Sequence, residues 1–218
     1  MAAGRRRSGP PERIDLPELE RVAVPSLGTG MERDRAWFDE ADLTSASAGG
    51  GRFVECRFSG CRLDGASLAG ARLSEVAIDG IGASSLDVAD GEWRDVVVDG
   101  GRIGALTGTR ADWLDVRLRG VRVDYLVLPG AELRSVALEA CEIGELDLAG
   151  AAVEWLAAPR TTIGTLVVDE ARMTDVDLRG ARIGSVRGVA ALRGATLSPE
   201  QVLDLAPALA AALGIRVG

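Results

Sequence analysis

From Phe53 onward an apolar residue stands at every fifth position. The series runs Phe53, Phe58, Leu63, Leu68, Leu73 and Ile78 and stays in phase through Trp93, Trp113, Leu133, Ile163 and Ile183. Only Ala83, Gly108, Ala158 and Gly188 lack a sizeable apolar side chain. Two residues before each centre lies a second apolar set, in which Ala71, Gly91, Ala111 and Cys141 are small and Val76, Leu86, Val96 and Leu126 are larger. The other three places in each five are mostly polar, charged or glycine. A period of five fits neither the 3.6 of a helix nor the 2 of a strand. It fits one short side of a coil, with two residues inward and a turn at the corner. Four sides make a coil of about twenty residues, a length typical of repeat architectures. The sequence echoes at that spacing in Leu73-Ser-Glu-Val, Trp93-Arg-Asp-Val and Trp113-Leu-Asp-Val. Ile103, Ile143, Ile163 and Ile183, each followed by Gly, form a matching series on another side.

The stretch Phe53-Val-Glu-Cys56-Arg-Phe58-Ser-Gly-Cys61-Arg-Leu63-Asp-Gly-Ala66-Ser-Leu68 resembles the pentapeptide-repeat family, whose unit is Ala-Asp/Asn-Leu-polar-Gly. The resemblance covers residues 51–197, with Arg often standing at the Asp/Asn place. It implies an all-β solenoid, a right-handed quadrilateral parallel β-helix. Residues 51–190 divide into about seven coils, a rod of about 34 Å at ordinary strand spacing. Gly60, Gly70, Gly80, Gly100, Gly120 and Gly130 recur where the chain turns corners.

A solenoid needs capped ends. The phase slips one residue early at Leu192 and Leu197, which predicts that the coil ends there. Ser198-Pro199-Glu200-Gln201 is a helix start, with Ser as N-cap, Pro in the first turn and Gln reaching back. Val202, Leu203, Leu205, Leu209 and Leu213 give the following segment an apolar face, Gly214 stops it, and Pro207 is expected to split it into two short helices. The face suits a cap on the last coil. In the quinolone-resistance branch of the family a C-terminal helical segment dimerises, so the same residues also suit a two-fold dimer. At the other end Trp37, Phe38 and Leu43 are expected to cover the first coil. The Arg, Gly and Pro of residues 1–13 read as disorder. The expected division is thus an irregular N-terminal segment at 1–36, the repeat body at 37–197 and a helical cap at 198–218.

Residue usage narrows the function. There is no His, which removes the usual general base and the commonest nitrogen ligand of metals. No nucleophile elbow, phosphate loop or paired-cysteine metal motif is present. The reading is therefore of a chain with no catalytic, cofactor or metal site, and not of an enzyme. Cys56, Cys61 and Cys141 match no disulfide framework and read as buried thiols of a reducing compartment. Without a signal peptide or an apolar run of about 18 residues, the expected location is the cytoplasm. A net charge of -8 disfavours direct binding to nucleic acid and suits a basic partner.

The charge sorts by side. The side centred on Leu73, Trp93, Trp113, Leu133, Val153 and Met173 carries Glu75, Glu92, Asp95, Asp112, Asp115, Glu132, Glu154 and Asp175 against four Arg, a net of -4. The side containing Val88 and Leu148 adds Asp87, Asp90, Asp147, Asp169 and Glu170 against Arg110 and Arg187. Members of the quinolone-resistance branch resemble duplex DNA in shape and charge and bind DNA gyrase. The resemblance therefore implies a protein partner at Glu75, Glu92, Asp95, Asp112, Asp115 and Asp175. The competing reading is a scaffold with no topoisomerase contact, its acidic face merely solvated and interleaved with Arg. Residues 51–190 carry a net -6, about one charge per 6 Å of rod, whereas duplex DNA carries one per ~1.7 Å. Trp93 and Trp113 stand at centre positions and read as core, with Gly91, Gly101, Gly108 and Ala111 making room. Trp155 and Tyr125 fall at outward positions and are candidates for contact.

Overall fold

In the computed structural model, residues 9–23 and 26–216 are described. The disorder expected of residues 1–13 falls, for 1–8, outside them. The chain winds as a parallel β-solenoid of about nine turns closed by one C-terminal helix. Between the two ends, strand residues pair with those twenty further on, as in Glu32↔Arg52, Arg52↔Arg72, Arg72↔Glu92, Glu92↔Asp112 and Asp112↔Glu132. The same register continues through Arg182–Arg187. The expected seven coils are too few. The register already runs at Glu32–Asp34 and Ala36–Asp39, where Arg33 at a centre position hides the five-residue period.

The centre and second-set side chains fill the interior, with Trp93, Trp113, Phe38 and Phe53 the largest that are fully buried. Phe38 and Phe58 stack at 4.6 Å, and Phe53 meets both edge-on. Phe38 and Leu43 are thus core of an ordinary coil and do not cover an end. Trp37 lies outside, where its indole N–H donates to Ser59 Oγ at 3.1 Å and the Arg21 guanidinium sits over its ring. The N-terminal end is closed instead by the short strand Glu20–Arg21, paired with Ala36–Trp37, and by Val22 and Leu27 packed on the core.

Trp93 and Trp113 stack at 4.9 Å, the core role expected of them. None of the three nearest atoms that a Cβ at Gly91, Gly101 or Gly108 would meet belongs to either ring. A Cβ at Gly108 would meet Leu128 at 2.7 Å, and one at Gly91 would meet the Val88 carbonyl at 2.9 Å. The Ile-Gly series also gains a cause. At Gly104, Gly144, Gly164 and Gly184 a Cβ would lie 2.3–2.6 Å from the carbonyl oxygen of the residue twenty earlier. Only glycine lets the coils stack there.

The three cysteines are free and buried, and each Sγ–H points at a carbonyl of the preceding coil, as Cys61 does to Phe38 at 3.4 Å and Cys141 to Leu118 at 3.4 Å. Burial pushes the Cys141 thiol up to about 11. A nucleophile needs the opposite shift.

The coil ends as its phase slip indicates. Val176↔Ala195 and Asp177↔Thr196 pair one residue short of the usual register, around the 3-10 turn Val189–Leu192. The helix Pro199–Ala212 carries the full capping box of Ser198 and Gln201. It is single: Pro207 lies inside it. Both Pro207 and Leu203, whose carbonyl loses its helical donor, are solvent-exposed, so water satisfies the freed group. Gln201 is buried and its Nε2 donates to the carbonyls of Leu178 and Ala181 at 2.7 Å each, which closes the last coil. None of the helices among the described residues is long and apolar enough to cross a membrane.

Candidate protein-interaction surface

The four sides meet at corners, and one corner concentrates acid. Where the side of Leu73, Trp93 and Trp113 passes to that of Ile78, Val98 and Leu118, the turning residues are Glu55, Glu75, Asp95, Asp115, Ser135 and Asp175. All have left-handed backbones, with φ between 51° and 61°. Asp tolerates this region better than most residues because its short polar side chain bonds locally. Parallel stacking then sets successive corner side chains one rung apart, about 4.8 Å.

The structure divides the six candidate carboxylates. Glu92 is bound to Arg72 at 3.3 Å. Asp112 lies between Arg94 and Arg134, the latter at 2.5 Å. Burial would raise its carboxyl, but the hydrogen bonds from the two guanidinium groups prevail and hold it below the usual range. These two carboxylates are neutralised. Glu75, Asp95, Asp115 and Asp175 have no cation within ion-pair distance among the described residues. Burial raises the Asp95 carboxyl, and the charge of Asp115 on the next rung raises it further. The site is therefore a ladder of three unpaired carboxylates, Glu75, Asp95 and Asp115, with Asp175 farther along.

On the side of Val88 and Leu148 the acid is spent differently. Asp87 and Asp147 accept the backbone N–H groups of Ala89 and Ala149 and so build corners, while Asp90 holds Arg110 bidentately at 2.8 Å. Most Arg residues bridge to acids on the neighbouring rung, as in Arg57–Asp79, Arg102–Asp124 and Arg119–Asp99. Sequence reasoning placed the acids on the right sides but missed which ones are cancelled, because that depends on offsets between rungs.

Asp95 is stabilised by neither partner nor neighbour. A carboxyl with a raised folded pKa holds its proton to higher pH in the folded than in the unfolded chain, so its ionised form costs stability above the folded pKa. That cost fades as pH falls below the ordinary 3.8. Asp95→Asn is expected to raise the melting midpoint by about 1–2 °C at pH 7 and to lose that gain near pH 3, checked by thermal circular dichroism.

The candidate helix residues also divide. Leu205 is buried and Leu209 packs on the core, whereas Val202 is exposed, as are Leu203 (74%) and Leu213 (77%). Tyr125 is 55% exposed, as its outward position predicts. Trp155 is not free: a Cβ on Gly9 would lie 2.6 Å from its ring, so the N-terminal segment rests upon it.

Residues 36–76 match the family model for pentapeptide repeats, in eight copies. No curated protein matches the chain. Among solved structures, HetL, a pentapeptide repeat protein involved in heterocyst differentiation regulation from the cyanobacterium Nostoc sp. strain PCC 7120, is 16% identical with a TM-score of 0.41; the match covers 77% of this chain and 90% of HetL. Full-length QnrB1, a plasmid-mediated fluoroquinolone resistance protein, is 14% identical with a TM-score of 0.32; the match covers 82% of this chain and 99% of QnrB1. At such identities and scores these likenesses carry nothing over to this chain. Residues 36–76 are thus a stretch of pentapeptide repeats, and the twenty-residue register of the solenoid continues from it through Arg187.

Proposed function

We propose that the chain is a non-catalytic protein-interaction module of the cytoplasm, and that its acidic corner binds DNA gyrase or another type II topoisomerase as a DNA mimic, modulating or protecting the enzyme. The observation that supports this is the ladder of unpaired carboxylates at Glu75, Asp95 and Asp115. Its rise of about 4.8 Å per carboxylate approaches the roughly 3.4 Å of helix axis per phosphate of one DNA strand. The rod as a whole is far less charged than DNA, so the mimicry is confined to this corner. The rung-to-rung Arg pairing elsewhere favours the competing reading, a scaffold that meets its partner without a charge pattern.

A supercoiling assay with cognate gyrase separates the two. The wild-type protein is expected to inhibit the enzyme or to protect it from a fluoroquinolone, and Asp95→Arg/Asp115→Arg is expected to lose the effect. The effect should also fall steeply as salt rises. A folded wild-type protein without effect at any concentration would sink the topoisomerase reading and leave the scaffold.

The exposed Val202, Leu203, Leu213 and Ile215 support a C-terminal homodimer, formed by the same helix whose other face caps the rod. Light scattering on the eluting protein is expected to show twice the monomer mass, and Leu203→Glu/Leu213→Glu to return it to the monomer. A wild-type monomer at high concentration would refute this.

A further inference from the structure

The side of Ile78, Val98 and Leu118 is unlike the others. Its outward positions include Ala77, Val97 and Ala137. All three are buried, yet they lie outside the interior core. Ser135, at a corner where Glu75 and Asp95 are exposed, is 2% exposed and its hydroxyl has no partner.

Residues 9–21 run beside this side without adding a rung until Glu20–Arg21. Gly9 packs on the Trp155 ring and Pro10 is buried. The Arg117 guanidinium, itself held by Glu139 at 2.6 Å, donates to the Pro10 carbonyl at 2.8 Å and to that of Pro11 at 2.9 Å. Farther on, Ile14, Leu16 and Leu19 share a hollow with Trp37 and Arg57. Each proline fixes its own φ and keeps the residue before it extended, so Gly9-Pro10-Pro11 is preorganised to lie along a surface. Arg117 reads main-chain carbonyls only, while the aromatic ring admits no side chain at the residue preceding Pro10.

We infer that this side is a peptide-binding track for an extended Gly-Pro-Pro segment, selected by Trp155 and Arg117, and that residues 9–16 occupy it as a ligand in cis. Because these residues carry no inter-coil ladder, they can leave while the rod stays folded. A partner peptide of the same chemistry then takes their place. The track borders the acidic corner at Ser135 but uses none of the ladder's carboxylates, so failure of one reading leaves the other standing.

The test uses full-length protein and a fluorescent peptide of residues 9–16. Gly9→Val/Pro10→Asp releases the segment, because a side chain at residue 9 collides with Trp155. The released variant, its fold checked by circular dichroism, is expected to bind the peptide saturably and about tenfold or more tighter than the wild type, whose track is occupied. Arg117→Gln or Trp155→Ala in the released background should each remove that gain. Absence of binding by the folded released variant would overturn the proposal. So would equal binding by wild type, or binding unaffected by both track substitutions.

Discussion

Gly101→Ala is expected to cost the rod about 4 kcal/mol, as a fall of about 8–16 °C in the melting midpoint. Gly101 stands at an inward second-set position, stacked in register on Ile81. Its φ of +107° is a conformation that L side chains rarely adopt. An added Cβ would lie 2.2 Å from the Ile81 carbonyl oxygen and 2.6 Å from its nitrogen. Both are backbone atoms of the preceding coil, so no side chain can swing aside; the coils themselves would have to part. Gly100 provides the control. Its φ is +68°, but nothing lies within 4 Å of a Cβ there. Gly100→Ala should lose only the left-handed penalty of about 1–2 kcal/mol. Equal losses at both positions would show that contact between coils is not the cause.

Trp113→Ala is expected to cost about 3–5 kcal/mol, measured by the same melts. The ring is fully buried and stacked on Trp93 at 4.9 Å with 13° between planes. In a narrow core each coil touches only its neighbours, so distant coils cannot collapse into the void. The indole carries a handicap that limits the loss for a milder change. Nε1 of both Trp93 and Trp113 is buried without an acceptor. Trp113→Phe removes one orphan donor, which offsets part of the lost ring area, and should cost less than about 1.5 kcal/mol. A Phe variant as unstable as the Ala variant would contradict this division.

The extent of covalent locality explains what could be read beforehand. Phe53, Leu73, Trp93 and Trp113 recur in phase because each coil repeats the same inside and outside positions, so the period itself specifies the solenoid. The one-residue slip at Leu192 and the Ser198-Pro199 helix start are likewise local signals, and both stand in the structure. Other features escaped. The coil containing Phe38 lacks an apolar centre at Arg33, and only pairing with Arg52–Val54 reveals it. Pro207 reads as a break in isolation but is tolerated where the freed carbonyl meets water.

The acidic corner lies between these cases. Twenty-residue spacing puts Glu75, Asp95 and Asp115 on one line, whereas their freedom from Arg follows from rung-to-rung offsets that no spacing states. Asp112, equally acidic in sequence, is cancelled by Arg94 and Arg134 on either side. The N-terminal segment is the extreme instance. Its Arg, Gly and Pro read as disorder, and its course is set by Arg117 and Trp155, more than a hundred residues away. The sequence by itself determined the coil, its register and its C-terminal stop, because these rest on a repeated short-range pattern of burial. Only the tertiary structure decided which carboxylates remain charged and where the N-terminal segment lies, because both depend on groups that stacking alone brings within hydrogen-bond reach.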